Sequence, residues 1–132
     1  MLQVTFYRDG RDRVARISAR GHAGFADYGN DVVCAAVSAI LQAARLGIEA
    51  YLGSEVEAGQ RSGRLELAWP EPARANESVR AIVTTAELAI EEIARQYPNH
   101  VRLRRHGIAR RMKRRSPGRV TTLADRRRRY DV

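Results

Sequence analysis

Gly21-His22-Ala23-Gly24-Phe25-Ala26-Asp27-Tyr28-Gly29-Asn30-Asp31-Val32-Val33-Cys34-Ala35-Ala36-Val37-Ser38 joins two kinds of periodicity. Before it, Val4 and Phe6 alternate with Gln3 and Thr5, and Ala15, Ile17 and Ala19 alternate with Arg16, Ser18 and Arg20, on either side of Asp9-Gly10. A period of two around a turn pair predicts a hairpin over residues 2–7 and 13–20. After it, Val33, Val37, Ile40, Leu41, Ala44, Ile48 and Tyr51 recur at helical spacing. That pattern predicts a helix from Asp31 to about Tyr51, with Asn30 or Asp31 as its cap. The quoted run is then a strand end, a loop over 21–30 and a first helical turn that contains Cys34. Gly21, Gly24 and Gly29 give the loop backbone freedom, and a mobile lid is one reading of it.

Farther along, Leu65, Leu67 and Trp69 alternate with Arg64, Glu66 and Ala68, and Gly59-Gln60-Arg61-Ser62-Gly63 precedes them. A second hairpin is predicted over 55–58 and 64–69, closed by Pro70 and Pro72, with Trp69 in the core. Val79, Ile82, Val83, Ala86, Ala89, Ile90, Ile93 and Tyr97 mark a second amphipathic helix between Ala75 and Tyr97 that Pro98 stops. Val101 and Leu103 suit a last short strand. Hairpins plus two long helices predict an α+β fold of two layers: both helices on one face of a mainly antiparallel or mixed sheet of four to five strands.

The chain has 132 residues, and its apolar side chains suffice for one core, predicting a single domain over 1–106. No stretch approaches about 20 apolar residues, and Met1-Leu2-Gln3-Val4-Thr5-Phe6 lacks the features of a signal peptide, which predicts a cytoplasmic protein with no membrane partner. A lone cysteine cannot form an internal disulfide and cannot alone make a zinc site, leaving a packed thiol or a reactive one. Charge is unevenly spread. Residues 1–100 carry 11 basic and 13 acidic groups, whereas residues 101–132 carry 13 basic and 2 acidic. By this count the domain is not a basic nucleic-acid-binding surface, and the charge lies in a tail, 107–132. That tail cannot bury enough apolar area to offset its ordering entropy and is predicted to be disordered. It is either a solvated appendage or an electrostatic contact for RNA phosphates.

Thiol catalysis requires a nucleophile, a base within reach and donors for the developing oxyanion. Cys34 would be the nucleophile, His22 the general base and later the general acid, and backbone N–H groups near the helix start the donors. Asp31 has two available roles, capping the helix or orienting the His22 imidazole. Ser38, one turn after Cys34, is a supporting candidate, although serine in an apolar helix more often bonds back to a carbonyl. His100 and His106 have no partners at metal-ligand spacing. Phosphate loops, dinucleotide fingerprints and metal motifs are absent from the sequence, so neither cofactor nor metal is expected.

Gly21-His22-Ala23, Gly29 and Asp31-Val32-Val33-Cys34-Ala35-Ala36-Val37-Ser38, with this separation of histidine and cysteine, resemble the ribosomal-processing cysteine protease family, also called Prp. The resemblance spans about residues 1–106 and implies an endopeptidase that removes a short N-terminal extension from a large-subunit ribosomal protein of the L27 type. It further implies Cys34 as nucleophile, His22 as base, Asp31 and Ser38 in support, and Gly21, Gly24 and Gly29 in a mobile loop that closes on substrate. Cleavage after a phenylalanine and a homodimeric assembly are implied as well. Asn30 and the basic tail depart from the family pattern. The competing reading is a non-catalytic ribosome-associated or RNA-binding module that relies on the tail.

Overall fold

The first hairpin turns on Asp9. In the computed structural model, which describes residues 1–21, 28–53, 56–61 and 63–107, Asp9 Oδ1 accepts the backbone N–H groups of Arg11 (2.9 Å) and Arg13 (3.1 Å). Asp12 beside it takes φ 60°. Asp9 Oδ2 pairs with Arg13 (3.2 Å) and with Arg74 (3.4 Å), which ties a later segment to the turn. Burial works to raise the Asp9 carboxyl, but the Arg13 and Arg11 amides and the Arg13 guanidinium outweigh it and hold the carboxyl at about 2, below the ordinary 3.8. A carboxyl lowered on folding stabilises the protein above its unfolded pKa and loses that contribution as pH falls from about 4 to about 2. Asp9→Asn is therefore expected to be less stable than wild type by about 1–2 kcal/mol near neutrality, after allowance for screening. Urea unfolding measured across this acid range should show the gap closing.

Along the chain run β1 (Leu2–Arg8), β2 (Val14–Arg20), α1 (Tyr28–Leu52), β3 (Glu57–Arg61), β4 (Arg64–Ala68), α2 (Glu71–Arg74), α3 (Glu77–Gln96) and β5 (Val101–His106). They form one sheet in the order β3-β4-β2-β1-β5. β1, β2, β4 and β3 pair antiparallel as two hairpins, whereas β5 returns through α3 to lie parallel to β1, with Val4 opposite Leu103. Leu2, Val4, Phe6, Ile17, Ala19, Leu65, Leu67 and Val101 point to one face. There they meet Val33, Val37, Leu41 and Ile48 of α1 and Val79, Val83 and Ile90 of α3, giving the two layers predicted. Trp69 joins this core and donates its Nε1–H to the Val14 carbonyl at 3.0 Å. Glu87 of α3, also buried, takes both oxygens to Arg8 (2.9 and 2.8 Å) and binds Arg105, clamping β1 and β5 to the helix.

Four expectations need correction. α1 begins at Tyr28, so Gly29 lies in its first turn rather than in the loop, Asn30 and Asp31 lie inside it rather than at its cap, and Cys34 falls in the second turn. The outer hairpin strand covers 57–61 rather than 55–58, with Gly59, Gln60 and Arg61 paired to β4 instead of forming the turn. Glu71–Arg74 forms a short helix where two prolines suggested only a break; Pro72 sits in its first turn, where a missing N–H costs nothing. The second long helix then starts at Glu77, capped by Asn76, whose side chain accepts the Val79 N–H. Finally, Val32–Leu52 is long and apolar enough, by length and composition, to cross a membrane. Its alanines raise the average hydropathy although no unbroken apolar run exists, and its Val33, Val37, Leu41, Ala44 and Ile48 serve the core. The expected tail lies outside the described residues apart from Gly107.

Candidate active site

Residues four apart share one face of a helix. Cys34, Ser38 and Gln42 form such a stripe on α1, and it faces the place where β2 ends and β4 begins. There the Gly21 N–H donates to the Gly63 carbonyl at 2.9 Å. The stripe, Gly21, Gly63, Gln60, Arg61 and Arg64 line a cleft of about 190 Å³ floored by Leu2, Ala19 and Leu65. Gln42 donates to Gln60 Oε1 at 3.4 Å, bridging α1 to β3 across one side. The volume is below the roughly 300–1,000 Å³ of small-molecule sites.

Cys34 is half-buried, packs against the core and is one of the residues lining the cleft. Its position one turn into α1 separates Cys34 from the amides at the helix start. The amide of Cys34 belongs to the helical ladder, while the N–H groups without intrahelical partners are those of residues 28–31. Ser38 is exposed along the same cleft and makes no hydrogen bond to another described residue, so it does not bond back into the helix. Gly21 has φ +111°, and a Cβ there would lie 2.4 Å from the Met1 carbonyl oxygen. Only glycine fits this strand end, which launches the chain toward His22.

His22 and Gly24 lie outside the described residues, as does the side chain of Asp31. Among the described residues no group of three His, Cys, Asp or Glu side chains is placed to hold a metal. His106 stands edge-on to Tyr7, with ring centroids 5.5 Å apart, as an ordinary polar residue of β5. Gln42, Gln60, Arg61 and Arg64 were not singled out from sequence. Gln42 carried a readable signal, the continuation of Cys34 and Ser38 by four residues; the β-strand residues carried none.

A family model described as cysteine protease Prp matches residues 1–102. The chain belongs to the cysteine protease Prp family. Ribosomal processing cysteine protease Prp of Bacillus subtilis is 27% identical over 107 residues, covering 78% of this chain and 96% of its own. The Mycoplasma genitalium Prp is 37% identical over 87 residues, covering 63% and 80% respectively. The Prp fold itself is matched by the crystal structure of the Staphylococcus aureus protease in complex with a substrate peptide, with a TM-score of 0.70 at 20% identity over 80% of this chain and 99% of that one. The motif resemblance is thus borne out, and the chain is a member of a ribosomal-processing cysteine protease family with the α+β architecture predicted.

Proposed function

We propose that this Prp-family chain is a cytoplasmic endopeptidase that removes the N-terminal extension of an L27-type ribosomal protein, using Cys34 and His22. The observation that carries the proposal is the placement of the only cysteine on the wall of an apolar-floored cleft, beside the strand end that leads into His22. In this scheme His22 takes the Cys34 proton as sulfur attacks the scissile carbonyl. The proton passes to the departing amine, leaving an acyl-thioester on Cys34. His22 then deprotonates water, and hydrolysis frees the carboxylate and restores the thiol. Asp31 and Ser38 support the pair from the same helix.

The test is incubation of reduced, full-length protein with the precursor from the same organism, followed by mass spectrometry. One cut, following a phenylalanine of the extension, is expected, with the extension-free protein left intact. Absence of cutting by folded, reduced protein would sink the assignment.

The same proposal includes a homodimer. Between α1 and α3 runs an apolar groove of about 430 Å³ lined by small residues including Ala43, Gly47 and Ala89, with Ile40 and Ile82 partly exposed. A second copy covering it would account for the apolar helix surface that the sheet does not use. Light scattering should then give twice the 14.8 kDa chain mass. Ala43→Glu should return the monomer, and a monomeric wild type would remove this part of the proposal.

A further inference from the structure

The near-neutral sum over the domain conceals a segregation of charge by face. Because residues opposite one another in a sheet share a face, the registers place three rows on the side away from the helices. One runs Arg61, Arg64, Arg20, Gln3, Arg102; the next Gly59, Glu66, Ser18, Thr5, Arg104; the third Glu57, Ala68, Arg16, Tyr7, His106. Six arginines and His106 therefore stand against two glutamates. Glu66 neutralises part of this, pairing with Arg64 at 3.0 Å and Arg20 at 3.8 Å, while among the described residues Arg61, Arg102 and Arg104 face no carboxylate within 4.0 Å. All six arginines are exposed.

We propose that this sheet face, which no described element covers, docks single-stranded RNA through its phosphate backbone. The argument is charge and chemistry. Arginine forks pair bidentately with phosphate, and strands about 4.8 Å apart repeat them across a flat surface. A shallow cleft on this face, lined by Gln3, Thr5, Tyr7, Ser18, Arg20 and Arg104, adds neutral hydrogen-bonding groups suited to sugars and phosphates. Arg16 lies over the Tyr7 ring, 4.1 Å from its centroid, and extends a planar cation toward the same surface. A protein partner would want a desolvated apolar centre. Among the described residues, apart from Met1 just before β1, the exposed large apolar residues lie in or beside α1 and α3, not on this face. Polar, strongly positive and flat is the description of a nucleic-acid surface.

The first row ends at Arg61 and Arg64, which also line the Cys34 cleft. RNA on the sheet would thus bring a ribosomal protein seated on that RNA toward the thiol, a consequence that rests on the protease proposal. The RNA binding does not. It is read without any cleavage assay, so failure of one leaves the other standing.

The test compares full-length wild type with the triple substitution Arg20→Gln, Arg102→Gln, Arg104→Gln by fluorescence anisotropy. The probe is a labelled, mixed-sequence RNA of about 20 nucleotides, titrated from about 50 to about 200 mM salt. Each lost phosphate contact removes about 0.7 from the logarithmic salt slope on a single strand, so the triple variant should bind about tenfold more weakly at low salt with a slope shallower by about 2. The same decrement should appear when Arg126, Arg127, Arg128 and Arg129 are also changed to Gln, which separates the sheet from the tail. Replacing the three sheet arginines by lysine should keep the salt slope near wild type, since charge is kept, while giving up part of the affinity with the fork geometry; a slope lowered by lysine as much as by glutamine would overturn the proposal. Unchanged affinity and slope in the glutamine variant would overturn it too, assigning RNA affinity to the tail. Polyglutamate binding as tightly as RNA would instead assign the face to an acidic protein.

Discussion

Cys34→Ala is expected to lower kcat/KM on the precursor by at least about 10⁴-fold while leaving a folded protein. The rate loss follows from removing the nucleophile on which covalent catalysis depends; in enzymes of this type such deletions remove almost all acceleration except what binding and oxyanion donors supply. The small structural cost follows from the site. Cys34 is half-buried at the margin of the core, so trimming its sulfur opens no closed cavity and should cost no more than about 1 kcal/mol. The variant should therefore bind precursor without cutting it, and thermal unfolding would verify its integrity. His22→Ala should act differently. A lost base typically costs 10²–10⁴-fold, and the acidic limb of the pH–rate profile, which reports that base, should disappear with it. A Cys34→Ala protein that still cuts at more than about one part in a hundred would show that another group is the nucleophile.

Much of this was legible in the sequence, and the boundary between what was and was not has a physical origin. Alternation in residues 2–7, 13–20 and 64–69 and the 3.6-residue rhythm of 33–48 and 79–93 are short-range consequences of burying one face, so the strands, the helices and their layering could be read directly. The order of strands could not. That β5 sits parallel to β1, with Leu103 beside Val4, depends on a crossover through α3 rather than on any local pattern. The start of α1 was misplaced because Gly29, Asn30 and Asp31 carry loop and cap propensities that the helix overrides. At the site, Cys34 and Ser38 could be named because a helix fixes their common face. Gln60, Arg61 and Arg64 could not, since they reach the cleft only when β4 pairs with β2 and β3 with β4, beside α1. The arginine rows of the open face are hidden for the same reason: Arg20, Arg64 and Arg102 are far apart in sequence, and only strand register aligns them.

Gly21→Ala should be the most damaging single-methyl change near the site, costing about 3 kcal/mol of stability and more than about tenfold in activity beyond any loss from unfolding. Two costs add. An L-residue at φ +111° occupies a region that its Cβ disfavours, and that Cβ would be 2.4 Å from the Met1 carbonyl oxygen, a backbone atom with no rotamer to escape through. Relief requires moving either the start of β1 or the end of β2. The first disturbs Leu2, which is buried and pairs with Val101. The second stretches the 2.9 Å hydrogen bond from Gly21 to Gly63 at the cleft rim and redirects the chain entering His22. Stability alone would be recovered by assaying well below the melting temperature; the misdirected histidine would not be, because a displacement of about 1 Å in a catalytic group costs on the order of 10²-fold. Gly10→Ala supplies the comparison, since its Cβ meets nothing within 4 Å and it has no positive φ. It should leave both stability and kcat/KM near wild type. Equal behaviour of the two variants would mean that the strand end does not position the residue that follows it.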